Sequence, residues 1–93
     1  MGAVSNIAQY ALLLSMLAHV TDMIPYEFIY TLGDTHIYLN QLDQIEEQLS
    51  REPLPLPKLT INPEKKDIYT ITIDDLVIEG YEHHPQINYP VSV

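Results

Sequence analysis

The first part of the chain places apolar residues on every side of a predicted helix. This helix runs from Asn6 to about Val20. Asn6, with Ser5 beside it, is a suitable cap, because either side chain accepts hydrogen bonds from the free amides of a first turn. Pro25 cannot continue a helical hydrogen-bond ladder, so the helix ends before it. A helix without a polar face belongs inside a larger structure, so we expect further chain or a partner to cover it.

Several later segments have the composition of β-strands. They are rich in β-branched and aromatic residues and are separated by glycine, proline and polar turns. A period-2 arrangement would place alternate side chains of each segment on one face of a sheet. The predicted strands are residues 27–32, residues 35–39, Lys58–Ile61, residues 68–73 and residues 76–78.

A second, amphipathic helix is predicted over residues 40–50. Its apolar positions are three and four residues apart, and acidic residues occupy the other side. Prolines and leucines then alternate over residues 51–57, which favours an extended connector, and the tail from Gly80 is irregular. The sequence therefore predicts a single α+β unit over residues 1–93. One long buried helix and one amphipathic helix would pack on a mostly antiparallel sheet.

Charge and cysteine content exclude several classes of function. Four basic residues against thirteen acidic ones give a net charge of −9, which repels the phosphates of a DNA or RNA partner. The chain has no cysteine, so it offers no disulfide, no thiolate zinc site and no thiol nucleophile. His83 and His84 lie near Glu79 and Glu82, but adjacent side chains on irregular chain diverge. We therefore expect no metal site.

The longest apolar stretch, residues 7–20, includes Gln9, Ser15 and His19. Its fourteen residues are too few and too polar to cross a bilayer. No basic segment precedes it, as one would in a secretory signal. We therefore expect a cytoplasmic protein with no membrane partner. His19 would sit in the last helical turn and interact with the helix dipole.

Four motifs, in order along the chain, resemble the C-terminal part of the thymidylate synthase family. The resemblance covers the chain from Ser5 to Val93 and implies a thymidylate-synthase-like partial domain. The motifs are the helix opening Asn6-Ile7-Ala8-Gln9-Tyr10-Ala11-Leu12-Leu13, the segment Gly33-Asp34-Thr35-His36-Ile37-Tyr38, the segment Leu49-Ser50-Arg51-Glu52-Pro53 and a tail with Gly80-Tyr81, His84-Pro85 and Pro90-Val91-Ser92-Val93.

The resemblance implies methylation of deoxyuridine monophosphate with methylenetetrahydrofolate, which donates both the one-carbon unit and a hydride. In this family a cysteine thiolate adds to the uracil ring. By resemblance, Asn6 reads the base, because an amide offers a donor and an acceptor to a uracil edge that has a carbonyl and an N–H. The family's cytosine-acting hydroxymethylases carry an aspartate there. Asn6 therefore points to uracil.

The resemblance also assigns contacts to the sugar and to folate. His36 and Tyr38 are two residues apart in a predicted strand, so their side chains leave the same face. By resemblance they bind the 3′-hydroxyl of the deoxyribose, and Ile37 contributes backbone between them. Ser92 falls where the family's tail closes over folate, at a position that is commonly alanine.

The nucleophile is the main departure from the family. By resemblance, the catalytic cysteine, the phosphate-binding arginines and an aspartate that contacts both ligands lie before Asn6, and this sequence does not contain them. We therefore expect the chain alone to be inactive, and to need a complementing N-terminal segment or a homo-oligomer. Two alternatives remain: a non-catalytic binding protein that assembles through the family's sheet, and part of a deoxyuridylate hydroxymethylase.

Overall fold

The computed structural model describes residues 2–91 and contains two α-helices and one two-stranded sheet. This confirms the predicted α+β class. The sheet is antiparallel and pairs Lys58 with Glu79 and Ile61 with Leu76. The elements are α1 (Ala3–Val20), α2 (Leu42–Leu49), β1 (Lys58–Ile61) and β2 (Leu76–Glu79), with short 3-10 turns at Leu39–Gln41, Ile68–Thr70 and Ile73–Asp75.

Helix α1 begins three residues earlier than predicted. Its N-cap is Gly2, and no side chain caps the first turn. Asn6 therefore lies inside the helix, and its predicted capping role is wrong, because Ala3 and the residues after it adopt helical geometry and move the free amides upstream. The helix ends as predicted before Pro25, where the Thr21 amide donates to the Leu17 carbonyl.

Three predicted β segments have a different structure. Residues 27–32 and 35–38 lie outside helices and strands, and residue 39 begins a 3-10 turn; the part of the chain that the structure describes provides no strand to pair with them. Residues 68–73 are not a strand either. The Asp67 carboxylate accepts from the Tyr69 amide at 3.0 Å, and this local bond closes a 3-10 turn instead.

The end of α1 is fastened to the sheet by side-chain hydrogen bonds. His19 lies in the last turn as expected, but its Nε2 is 3.0 Å from the Asn62 carbonyl, so the ring contacts the residue that follows β1. The Asn62 side-chain amide donates to the Asp75 carboxylate at 3.0 Å, just before β2. The Lys66 ammonium donates to the Asp22 carboxylate at 2.9 Å. Polar contacts thus join the end of the helix to residues that lie next to the sheet strands.

The predicted buried helix is largely exposed within this chain. Among the described residues only Ala18 and Gln41 are buried, and Tyr10, Leu13 and Leu17 of α1 are each more than two-fifths exposed. The surface of 7968 Å² exceeds the roughly 5,500 Å² of a compact monomer of this mass. The radius of gyration of 16.5 Å also exceeds the about 12 Å expected. The chain has too few elements to cover its own apolar helix.

Helix α1 has 18 residues and a mean hydropathy of 1.3, so it is longer than the stretch predicted from the sequence. By length and composition alone it meets the criterion for a membrane-spanning helix. The core helix of a soluble protein meets the same criterion. The helix therefore provides no evidence of a membrane.

Asp75 provides a test of the link between β1 and β2. Hydrogen bonds from the Thr72 amide at 2.8 Å and from the Asn62 side chain hold the pKa of the Asp75 carboxyl below its ordinary value. The lowered pKa contributes stability above about pH 4, and this contribution is lost as the pH falls through the folded-state pKa. We expect Asp75→Asn to reduce the dependence of the unfolding free energy on pH between about pH 2 and pH 5.

The measurement is a set of urea titrations across that pH range. Asp74→Asn is the matched control, because the neighbouring carboxylate makes no hydrogen bond with the described residues. Equal pH dependence in Asp75→Asn and the unchanged chain would contradict the assignment.

Candidate functional site

The candidate site is an open cleft of about 570 Å³ between the start of α1, the segment before α2 and the end of the described chain. Residues from three distant parts of the sequence line it. Its polar groups come mainly from the middle segment, and its apolar surface comes from all three. The lining residues are Gly2, Ala3, Leu32, Asp34, Thr35, His36, Ile37, Tyr38, Gln41, Tyr89, Pro90 and Val91.

His36 and Tyr38 lie together in this cleft. Their ring centroids are 4.9 Å apart and the rings meet edge to face. The predicted shared face therefore exists, although the segment has no strand partner among the described residues. Extended backbone alone is sufficient to place the two side chains on one face, because alternate residues of an extended chain point the same way. Ile37 lines the cleft between them.

Asp34 fixes the orientation of the His36 ring. The Nδ1 atom lies 3.2 Å from the Asp34 carbonyl oxygen and 3.4 Å from its carboxylate. A carbonyl only accepts, so Nδ1 carries the proton in the neutral ring and Nε2 is left as an acceptor. The ring is about half exposed, so Nε2 is available to a hydroxyl donor. The Tyr38 hydroxyl can both donate and accept.

The wall formed by Tyr89, Pro90 and Val91 is held by hydrogen bonds from the segment around α2. The Gln41 side-chain amide donates to the Pro90 carbonyl at 2.8 Å. The Tyr89 hydroxyl lies 2.5 Å from Gln48 Oε1. These contacts place irregular chain beside His36 and Tyr38, and so complete the cleft.

Asn6 does not line the cleft, but it lies close to it in the fold. It is one turn after Ala3 on α1, and residues three apart in a helix share a side. Its side chain is exposed and makes no hydrogen bond with any described residue. The donor and acceptor of its amide are therefore both available. Ser92 follows the lining residue Val91 but lies outside the described residues.

Three cleft residues that orient or hold other parts of it by hydrogen bonds were not among the predicted site residues: Asp34, Gln41 and Tyr89. The sequence could have indicated Asp34, because it lies two positions before His36 in extended chain, where alternate side chains share a face. Nothing in the sequence indicates that Gln41 contacts Pro90, since the two are 49 positions apart. Among residues 2–91 no cluster of histidine and carboxylate side chains is arranged to hold a metal ion.

Comparison with known proteins identifies the family. The thymidylate synthase family model matches residues 1–93. The chain belongs to the thymidylate synthase family. Its structure is similar to that of the thermostable thymidylate synthase A from Bacillus subtilis, with 40% sequence identity and a TM-score of 0.89 over 95% of this chain. The chain covers 32% of that enzyme, so it spans about a third of its length.

Other members of the thymidylate synthase family are enzymes of nucleotide biosynthesis. Members are transferases that bind deoxyuridine monophosphate, use methylenetetrahydrofolate as co-substrate and are typically dimeric. The fold of this chain is thus a thymidylate-synthase-like portion, as the sequence motifs predicted.

The tautomer of His36 can be tested directly. At about pH 8.5 an ordinary imidazole is neutral, so we expect nitrogen NMR to show a protonated Nδ1 and an unprotonated Nε2 on His36. The same spectrum contains an internal control. His19 and His84 present Nε2 to backbone carbonyls at 3.0 and 2.9 Å, so they should show the opposite tautomer. A protonated Nε2 on neutral His36 would contradict this geometry.

Proposed function

We propose that this chain forms the uracil- and deoxyribose-binding wall of a thymidylate synthase, an enzyme that methylates deoxyuridine monophosphate to thymidylate. The observation that carries the proposal is the His36–Tyr38 pair, with ring centroids 4.9 Å apart in the cleft and the acceptor Nε2 left available. Family membership supplies the chemical context.

In this proposal His36 and Tyr38 bind the 3′-hydroxyl of the deoxyribose. The hydroxyl donates to His36 Nε2, and the Tyr38 hydroxyl donates to the sugar oxygen. Asp34 acts through His36, because its carbonyl keeps the proton on Nδ1 at 3.2 Å. The backbone of Ile37 holds the two side chains at their spacing. Two hydrogen bonds to one hydroxyl favour a nucleotide with a free 3′ position.

Asn6 reads the base in the same proposal. Its amide group donates to a uracil carbonyl and accepts from the ring N–H. Its position inside α1 supports this role, because the side chain is not used as a helix cap and makes no hydrogen bond within residues 2–91. The helix fixes the backbone of Asn6, so only side-chain freedom is lost when the base binds.

The co-substrate would lie against the end of the chain. Methylenetetrahydrofolate supplies the one-carbon unit and the hydride when it is bound. Pro90 and Val91 present apolar surface to the cleft, which suits a flat ring system, and Val91 is 85% exposed. By resemblance to the family, we propose that Ser92, which lies outside the described residues, also contacts the co-substrate.

The nucleophile would come from another polypeptide segment. The 93 residues contain no cysteine, so this chain by itself supplies no thiolate to add to the uracil ring. The exposed apolar surface of α1 supports association with such a segment or with a second copy of the chain. We propose that thymidylate formation occurs only in that assembly, in the cytoplasm.

A second candidate function rests on the same exposed surface. A non-catalytic assembly protein would also expose the apolar side chains of α1 and the unpaired segment 27–39. The two functions differ in one result. Joining this chain to a family segment that carries the cysteine should restore thymidylate formation only under the first. Product analysis of the same assembly separates methyl from hydroxymethyl transfer, and so tests a deoxyuridylate hydroxymethylase.

The base-reading role predicts the effect of Asn6→Asp in the assembled enzyme. The substitution removes the donor, sets a carboxylate against the uracil carbonyl and leaves an acceptor for a cytosine amino group. The mismatch costs about 1–3 kcal/mol, so the uracil-to-cytosine ratio of kcat/KM should fall by about 5- to 150-fold.

The measurement is the kcat/KM for deoxyuridine and deoxycytidine monophosphates before and after the substitution. Asn88→Asp is the matched control, since Asn88 is exposed and does not line the cleft. An unchanged ratio in Asn6→Asp would remove the base-reading role. An assembly that contains the cysteine, folds and forms no thymidylate would overturn the proposed function itself.

A further inference from the structure

Gln41 connects the middle segment of the cleft to the wall at the end of the described chain, and its contact with Pro90 spans 49 positions of sequence. Its backbone amide donates to the Tyr38 carbonyl at 3.0 Å, and its side-chain amide donates to the Pro90 carbonyl at 2.8 Å. It is 7% exposed, which makes it one of the two buried residues that the structure describes. A buried polar side chain in a molecule with so little interior is costly unless its hydrogen bonds are made.

The wall that Gln41 holds has no regular secondary structure of its own. Residues 81–91 form neither helix nor strand. Hydrogen bonds from the segment around α2 therefore determine where the wall lies. The Tyr89 hydroxyl adds a second attachment, 2.5 Å from Gln48 Oε1 and 3.3 Å from the Gln44 carbonyl. The wall is thus attached on the Tyr89–Pro90 dipeptide, directly before the exposed Val91.

We propose that Gln41 is a positioning residue that sets the distance between Tyr38 and the Pro90–Val91 wall. This role of Gln41 rests on the proposed function and deepens it, because Gln41 would affect the binding of only one of the two substrates. The nucleotide sugar contacts the His36–Tyr38 side, whose geometry is fixed locally by Asp34. The folate-class co-substrate contacts the wall. Loss of the Gln41 donor therefore weakens binding of the co-substrate and leaves binding of the nucleotide unchanged.

The test is Gln41→Met in the assembled enzyme. Methionine has nearly the same length and suits a buried position, but it has no donor for the Pro90 carbonyl. We expect the KM for methylenetetrahydrofolate to rise about tenfold, while kcat and the KM for deoxyuridine monophosphate change less than about twofold. Tyr89→Phe removes only the hydroxyl of the second attachment and should shift the same KM in the same direction.

Gln86→Met is the matched control, because Gln86 is exposed in the same tail and makes no hydrogen bond with the described residues. It should leave all three kinetic constants unchanged. A second readout needs no activity: hydrogen exchange at the Val91 amide should be faster in Gln41→Met than in the unchanged protein and the control.

Several outcomes would overturn the inference. These are an unchanged KM for the folate, an equal rise in the KM for the nucleotide, or unchanged exchange at the Val91 amide. If the unchanged assembly forms no thymidylate, the proposed function fails. The exchange measurement then tests the attachment by Gln41 separately.

Discussion

The apolar surface of α1 is the constraint on which the rest of this molecule depends. The helix is 18 residues long and has apolar side chains on every side, and the chain supplies too little structure to cover them. Tyr10, near the middle of the helix, meets Phe28 with ring centroids 6.5 Å apart, and His19 in its last turn donates to the Asn62 carbonyl. Most of its surface is still exposed. We propose that another polypeptide surface covers the helix and that the same association completes the site at its start.

The cleft, unlike the helix, is specified by polar contacts. Asp34 orients His36, and Gln41 joins Tyr38 to Pro90, each through hydrogen bonds of 2.8–3.2 Å. Such hydrogen bonds orient the side chains of the cleft more than they stabilise the fold, because each contributes only about 0.5–1.5 kcal/mol net. These hydrogen bonds within the chain therefore define the described part of the site.

Local patterns in the sequence predicted most elements and the central pair of the site. The spacing of His36 and Tyr38 was sufficient to place them together, and β1, β2 and α2 follow their local patterns. Strand predictions that required a neighbouring strand for pairing were wrong. In residues 68–73, for example, a 3-10 turn forms at Ile68–Thr70, because the Asp67 side chain caps it locally. The contact of Gln41 with Pro90 is long-range and joins irregular chain, so no periodicity could indicate it.

The central claim, that another polypeptide covers α1, is tested most directly by hydrogen exchange of the α1 amides. The exchange is measured on the dilute chain and on the chain mixed with a thymidylate synthase segment that carries the cysteine. We expect rapid exchange and binding of an apolar dye in the dilute chain, with protection of α1 and loss of dye binding upon mixing. A dilute monomer that protects α1 equally well and binds no dye would contradict it.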